Sequence, residues 1–174
     1  MPTPCCLDIH RAWIALGSNI SPEQNLPLAI EHLARWGEIE AVSSVWQSTP
    51  IGDLNQADFC NAALILKSSL LPLDLKTELR QIESVLGRVR DPANKNAARC
   101  IDLDIVLFDG LVLNVPGLQI PDPEIPTRPF LAVPLAELDP EYRHPQLGTT
   151  LREIALAAGG PQELRRRSDI LLTF

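Results

Sequence analysis

Lys95-Asn96-Ala97-Ala98-Arg99-Cys100-Ile101-Asp102-Leu103-Asp104-Ile105-Val106-Leu107 passes from a polar loop with two cations into an apolar, β-branched run of strand type. At the join stand two aspartates separated by one residue. In a strand, residues i and i+2 point to the same face, so Asp102 and Asp104 project together while Leu103, Ile105 and Leu107 cover the other. Val106 and Phe108 continue the carboxylate face, which therefore turns apolar and is expected to be buried. An Asp-x-Asp pair on an amphipathic strand is ordinarily a solvated face. At the start of a buried strand, however, two acids are costly without a counter-charge. Hard oxygen ligands on a rigid strand suit Mg²⁺, which takes one or two carboxylates plus substrate phosphates. Arg99 lies where a guanidinium could grip a phosphate. The stretch predicts a Mg²⁺-nucleotide site.

Upstream, Ala12–Leu16 reads as a short buried strand broken by Gly17-Ser18-Asn19, whose backbone N–H groups could face a phosphate; most such tripeptides are simply turns. Ser21-Pro22-Glu23-Gln24 predicts a helix start, with Ser21 as cap and Gln24 completing a capping box. Leu26, Ala29, Ile30 and Leu33 recur at helical spacing, and the helix should end near Trp36-Gly37. Ile39–Trp46 is expected as one strand. The polar loop 47–58 leads into a strong strand at Phe59–Leu66, where Phe59 and Asn61 share a face. A flat bicyclic ring wants such an aromatic surface beside an amide that both donates and accepts. Pro72 opens a second helix with Leu75, Leu79, Ile82 and Leu86 on one face and Gly87 closing it. Lys76, Arg80 and Glu83 fall on its other faces.

Arg88, Arg90, Lys95 and Arg99 stand against one acid, Asp91, in the loop that follows, a basic cluster in a chain of net charge −7. It fits a flexible arm closing over a triphosphate. Farther on, Asp109-Gly110 is a turn, and Leu111–Leu113 with Leu118–Ile120 predicts a small hairpin. Pro129–Leu138 is a helix. His144 before Pro145 is structural, Thr150-Leu151-Arg152-Glu153 caps a last short helix, Arg165-Arg166-Arg167 is a solvated basic run, and Ile170–Phe174 is expected as an added edge strand.

Lys95-x-Ala97-Ala98-Arg99-x-x-Asp102-Leu103-Asp104-Ile105-Val106 resembles the signature of the hydroxymethyl-dihydropterin pyrophosphokinases. The resemblance runs from about Trp13 to Pro145 and includes the Gly17-Ser18-Asn19 turn, the aromatic-x-Asn of Phe59 and Asn61, and Pro134-Leu135-Ala136-Glu137-Leu138-Asp139-Pro140. It implies an α+β, ferredoxin-like βαββαβ core: a mainly antiparallel sheet with helices packed on it, expected on one side, plus C-terminal helices. It implies transfer of pyrophosphate from ATP to the hydroxymethyl group of 6-hydroxymethyl-7,8-dihydropterin, releasing AMP, in folate biosynthesis. ATP is then the co-substrate, and two Mg²⁺ ions sit on Asp102 and Asp104. By the same resemblance Arg88 and Arg99 join the aspartates as catalytic groups. Ser48, Thr49, Ile51, Phe59, Asn61 and Phe130 hold the pterin, and Glu83, Arg88, Arg99, Ile105 and Arg128 hold the nucleotide.

Two departures stand out. Where the family often has Arg-Trp-Gly-Pro-Arg, this chain has Lys95-Asn96-Ala97-Ala98-Arg99, without the tryptophan that stacks on the pterin in some members. Many relatives have Pro-His-Pro where this chain has Pro121-Asp122-Pro123. Asp122 loses a donor and adds negative charge near phosphates, so it is left out of the expected site. Two other readings stay open: another Mg²⁺-dependent nucleotide transferase, and a non-catalytic or substrate-shifted binding paralogue.

Composition sets the outer bounds. At 174 residues, with 45% hydrophobic and 21% charged, the chain fits one domain, with residues 1–10 as a leader and a core over about 12–160. A net charge of −7 argues against nucleic-acid and anionic-membrane partners. No run approaches the ~18 apolar residues of a membrane span. Cys5, Cys6, Cys60 and Cys100 have no metal spacing and read as reduced thiols of a cytoplasmic enzyme. A monomer is expected, with a weak homodimer as the alternative.

Overall fold

The computed structural model describes residues 8–52, 55–89 and 97–174. In chain order its elements are β1 (His10–Ser18), α1 (Pro22–Leu33), β2 (Glu38–Val42), β3 (Trp46–Ser48), β4 (Phe59–Ser68), α2 (Pro72–Val85), β5 (Asp102–Phe108), β6 (Leu113–Val115), β7 (Leu118–Ile120), α3 (Pro129–Leu138), α4 (Leu151–Ala157) and β8 (Arg165–Arg166). The main sheet runs β5-β1-β4-β3-β8, with β2 beside β3 on the same edge of β4. Every pair in it is antiparallel. This is the expected ferredoxin-like βαββαβ core; β6 and β7 form a separate hairpin.

The helices do not share one side. Leu26, Ile30, Leu75 and Leu79 pack with Ile14, Leu16, Leu64, Leu103 and Ile105 on one face of the sheet. Ala132, Val133, Leu135, Leu151 and Ile154 pack with Trp13, Ala63, Ile65, Val106 and Leu107 on the other. Side chains alternate along a strand, so β4 feeds both cores and is apolar without a break from Ala62 to Leu66.

A bulge in β5 changes the face assignment beyond the aspartates. Ile14 pairs with Ile105 but Trp13 pairs with Leu107, so Val106 is an extra residue. Val106 and Leu107 consequently lie on the α3 side and Phe108 crosses to the α1–α2 side, reversing the expected places of Leu107 and Phe108. Asp102 and Asp104 precede the bulge and keep their shared face.

Other expectations are corrected locally. The single strand foreseen over 39–46 is two, because Glu137 of α3 takes the Ser44 N–H (3.0 Å), the Ser44 hydroxyl (2.6 Å) and the Trp46 indole N–H (3.1 Å) at the break. Helix α1 ends at Leu33, short of Trp36. Ser21 sits at φ 45° with no side-chain cap, and no capping box forms there; the Asn25 side chain donates to the Ile20 carbonyl instead (2.6 Å). The Thr150–Glu153 capping box does form. The first hairpin arm is Leu113–Val115 rather than 111–113. The added edge strand is β8, made from the basic run, whereas Ile170 is a buried core residue and 170–174 is not strand. In that run Arg165 and Arg166 are exposed as expected, but Arg167 pairs with Asp169 (2.6 Å). The leader expected at 1–10 falls largely outside the described residues.

Candidate active site

The face of the sheet that carries α3 and α4 is apolar only along part of its length. Trp13, Ala63, Ile65 and Leu107 fill the covered part. Following the same parity toward the other end gives Ala15 and Gly17 on β1, Asn61 and Phe59 on β4, and Asp104 and Asp102 on β5. There the helices leave the sheet open, and a cavity of about 290 Å³ forms. Ser48, Thr49 and Ile51 close one side; Arg128 and Phe130, from the start of α3, close another; Arg99 lies across it. Every expected pterin residue therefore lines one cavity, with both aspartates and two of the expected nucleotide residues.

The carboxylates already hold cations. Asp102 accepts from the Arg88 guanidinium on one oxygen and from Arg99 on the other (2.6 Å). Burial alone would push its carboxyl up, but the two guanidiniums win and hold it below the ordinary carboxylate value. Asp104 accepts from the Lys76 ammonium at 2.5 Å. Such pairing is what two acids on one wall require.

Arg88 is fastened from three directions. Gly87, at φ 85°, lets the chain turn off α2 so that the Gly87 N–H bonds Ser84 O (3.1 Å) and the Arg88 N–H bonds Glu83 O (2.9 Å). This is the Schellman pattern of a helix end. The guanidinium then reaches both the Glu83 carboxylate and Asp102. Glu83, placed on an outer face of α2 by sequence, is only 1% exposed. It accepts the Leu103 N–H (2.9 Å) at the free edge of β5, so an acid of the helix closes the sheet edge. Lys76 also differs from expectation: it lies along the same side of α2 and reaches around that edge to Asp104.

Gly17 and Ser18 do not break the strand as expected but continue β1, pairing with Asn61 and Cys60 of β4, and the turn that begins at Asn19 is a brace rather than a set of N–H groups open to a phosphate. Asn19 accepts the Arg99 N–H (2.8 Å), its own N–H bonds Arg99 O (3.2 Å), and its side-chain amide donates to Ala57 O (3.1 Å). Ser18 donates to Cys100 O (2.5 Å). The turn thus pins the segment that carries Arg99, whose guanidinium lies 5.8 Å from the Phe59 ring centre. Asn61 donates to Ser48 Oγ (2.9 Å) and Trp46 O (3.3 Å), which fixes the plane of its amide against β3. Arg128 Nε is buried without a hydrogen-bond partner among the described residues, while Nη2 of the same guanidinium reaches Glu124 (3.5 Å).

Ile105 does not line the cavity; its side chain is in the α1–α2 core. Since the Leu103 N–H points out at the free edge, strand alternation directs the Ile105 backbone to that edge as well. Arg90, Lys95 and Asn96 lie outside the described residues. Sequence reasoning missed Lys76, Asp122 and Glu124. Asp122, left out of the expected site, lines the cavity with its N–H on Val106 O (2.9 Å). Its carboxyl is pushed up by burial and by the nearby Asp104 and Glu124 charges. The helical spacing 75, 79, 82, 83 would have put Glu83 on the buried stripe had its charge not argued against it. Asp122 stands where many relatives have the histidine of Pro-His-Pro, and the missing donor and added negative charge argued against placing it in the site.

The family model described as 7,8-dihydro-6-hydroxymethylpterin-pyrophosphokinase matches residues 13–140. The 2-amino-4-hydroxy-6-hydroxymethyldihydropteridine pyrophosphokinase of Pseudomonas aeruginosa is 38% identical over 86% of this chain and 92% of its own. The protein of the same name from Aquifex aeolicus is 36% identical over 81% of this chain and 88% of its own. Among solved structures, a Plasmodium falciparum HPPK-DHPS triple mutant with SDX-DHP superposes with a TM-score of 0.71 at 15% identity, over 86% of this chain. This chain spans 44% of the length of that one, and the likeness bears on the fold. The chain belongs to the 7,8-dihydro-6-hydroxymethylpterin-pyrophosphokinase family, enzymes that pass pyrophosphate from ATP to hydroxymethyldihydropterin in folate biosynthesis.

Proposed function

We propose that the cavity walled by Asp102, Asp104, Arg99, Phe59, Asn61 and Phe130 is where this chain carries out the family's pyrophosphoryl transfer. One observation carries the assignment: an aromatic and amide half and a carboxylate and guanidinium half share one 290 Å³ recess. Phe59 and Phe130 offer two rings to a flat pterin, and Asn61 offers amide atoms to its edge; Ser48, Thr49 and Ile51 complete that half. Arg99 and Arg128 meet the triphosphate, and the unpartnered Arg128 Nε is a donor ready for an anion. Arg88 keeps the carboxylates aligned and adds positive charge. Glu83 and the backbone of Ile105 form the β5 edge against which the nucleotide lies.

Asp102 and Asp104 fit Mg²⁺ by their chemistry: hard carboxylate oxygens on one face, already holding cationic side chains that a dication would displace. When bound, such ions neutralise phosphate oxygens and orient the reacting groups. The protein's own part is positioning and charge stabilisation, which suffice in phosphoryl-type transfer. Arg99 moves from Asp102 to the phosphates as their charge arrives, and the braced turn at Asn19 limits that motion to the side chain.

No described helix is long and apolar enough to cross a membrane, and we place the enzyme in the cytoplasm as a monomer of one catalytic domain. The test is product analysis with ATP, Mg²⁺ and 6-hydroxymethyl-7,8-dihydropterin. AMP appearing in step with the pterin pyrophosphate is the expected result. Equal turnover in an Asp104→Asn variant would sink the assignment of the carboxylates.

A further inference from the structure

Among the described residues three cations pair with the two aspartates, and they are not held alike. Arg88 is tied by its backbone N–H to Glu83 O and by its guanidinium to Glu83 and Asp102. Arg99 is anchored through its backbone to Asn19 and through Nε to Ala97 O (3.1 Å). Lys76 comes from the other layer, around the free edge of β5, and among the described residues its ammonium has one acceptor, Asp104. Its side chain is 13% exposed, whereas that of Asp104 is 48% exposed and opens onto the cavity. An ammonium is a compact charge on a flexible stem and changes partners more readily than a guanidinium fixed in a fork.

Resting on the reaction assigned above, we propose that Lys76 is an exchangeable counter-ion: it occupies Asp104 until nucleotide arrives, then passes to the phosphates as a divalent cation takes its place on the carboxylate. Lys76 is thus a positioning residue that makes metal binding conditional on nucleotide. A dication approaching Asp104 without nucleotide meets a positive charge already seated there and must evict it into a poorly hydrated space. Phosphate oxygens remove that penalty, because they accept the ammonium at the moment the carboxylate is released. Asp122 lines the same wall and responds to both Asp104 and Lys76. It supplies a second acceptor along the path, so the ammonium need not cross the cavity unpaired.

The experiment titrates Mn²⁺ into the protein without nucleotide, followed by the electron-spin signal of the free ion, and repeats it with α,β-methylene-ATP, whose α–β bridge cannot be cleaved. Lys76→Met keeps the stem and removes the charge. It should bind Mn²⁺ on the order of tenfold more tightly than the parent without nucleotide, while losing affinity for the nucleotide analogue. Lys76→Arg, which keeps the charge, should restore weak metal binding. Asp104→Asn should erase the gain. Should the Met variant fail to fold, Lys76→Gln carries the same comparison. Mn²⁺ affinity unchanged or weakened in the uncharged variant would overturn the counter-ion role and leave Lys76 a packing residue. Absence of Mn²⁺ binding in every protein even with the analogue would instead overturn the carboxylate assignment beneath it.

Discussion

Removing the Glu83 carboxylate tests the claim that this buried acid, rather than the more visible aspartates, holds the site together. Two contacts of Glu83 among the described residues bear on stability: it accepts the Leu103 N–H at 2.9 Å, and it pairs with the Arg88 guanidinium, whose side chain is 10% exposed. In Glu83→Leu both are lost. A buried N–H left without an acceptor costs about 1–3 kcal/mol. Breaking a buried pair by removing one partner costs about 3–5 kcal/mol, and the low end applies because Asp102 still faces Arg88. A loss of about 4 kcal/mol is therefore expected. In Glu83→Gln the amide oxygen can keep Leu103 satisfied, so only the charge is lost, and about 2 kcal/mol is expected. For a domain of this size, 1 kcal/mol moves Tm by about 2–4 °C, which puts the two variants about 12 °C and about 6 °C below the parent. Urea unfolding read by tryptophan fluorescence and by circular dichroism gives both values and checks that the transitions coincide. The reasoning is refuted if Glu83→Leu loses less than about 1 kcal/mol. It is also refuted if the Gln and Leu variants are equally unstable, since the backbone contact would then count for nothing.

Four other outcomes follow from the same geometry. Asp104→Asn should cut turnover by several orders of magnitude yet change stability by less than about 1 kcal/mol, because among the described residues its half-exposed carboxylate pairs with one lysine; Asp102→Asn should lose turnover and also about 2 kcal/mol, because the charged acceptor shared by two guanidiniums is lost. The Asp102 carboxyl is partly buried, yet Arg88 and Arg99 hold it below the ordinary carboxylate value. Its contribution to stability is present above the unfolded value of about 3.9 and lost as pH falls through the lower folded value, so Asp102→Asn should flatten that acid limb. Asp122 has the opposite sign: its carboxyl is pushed up by burial and neighbouring acids, so its ionisation opposes folding as pH rises through the raised value. Asp122→Asn should raise Tm at neutral pH, with the gain vanishing below about pH 3.9, as thermal melts across pH will show. Finally, a Cβ built on Gly37 would lie 2.0 Å from the Lys67 carbonyl oxygen, a backbone atom that cannot swing aside; Gly37→Ala should cost about 3 kcal/mol by chemical denaturation.

The parts of the site legible in sequence are those set by local periodicity. Two aspartates two positions apart in a strand must share a face, and Phe59 with Asn61 obeys the same rule on the next strand but one. What was not legible depends on contacts far along the chain. The bulge at Val106 carries no mark in the run Ile105-Val106-Leu107-Phe108, all apolar, so alternation misplaced Leu107 and Phe108 while leaving the carboxylates right. The break between β2 and β3 is made by Glu137, 93 residues away from Ser44. Glu83 was misplaced because a charge on a helix usually faces water; here the unpaired N–H of an edge strand and a buried guanidinium reverse that preference together.

The second helical layer is the instructive miss, because its signal was present. Cys60, Ala62, Ala63, Leu64, Ile65 and Leu66 are apolar at nearly successive positions, and all are 2% exposed or less. A strand with one wet face alternates; one without alternation must be covered on both sides. Helices α1 and α2 can cover only one. The chain after β5 therefore had to supply a cover for the other, and Pro129–Leu138, apolar on nearly every side, was the segment able to do so. That cover stops short of Phe59, Asn61, Asp102 and Asp104, where the same face turns from apolar to polar. The place where the second layer ends is thus fixed by the change of residue type along β4 and β5, and the recess it leaves is the site.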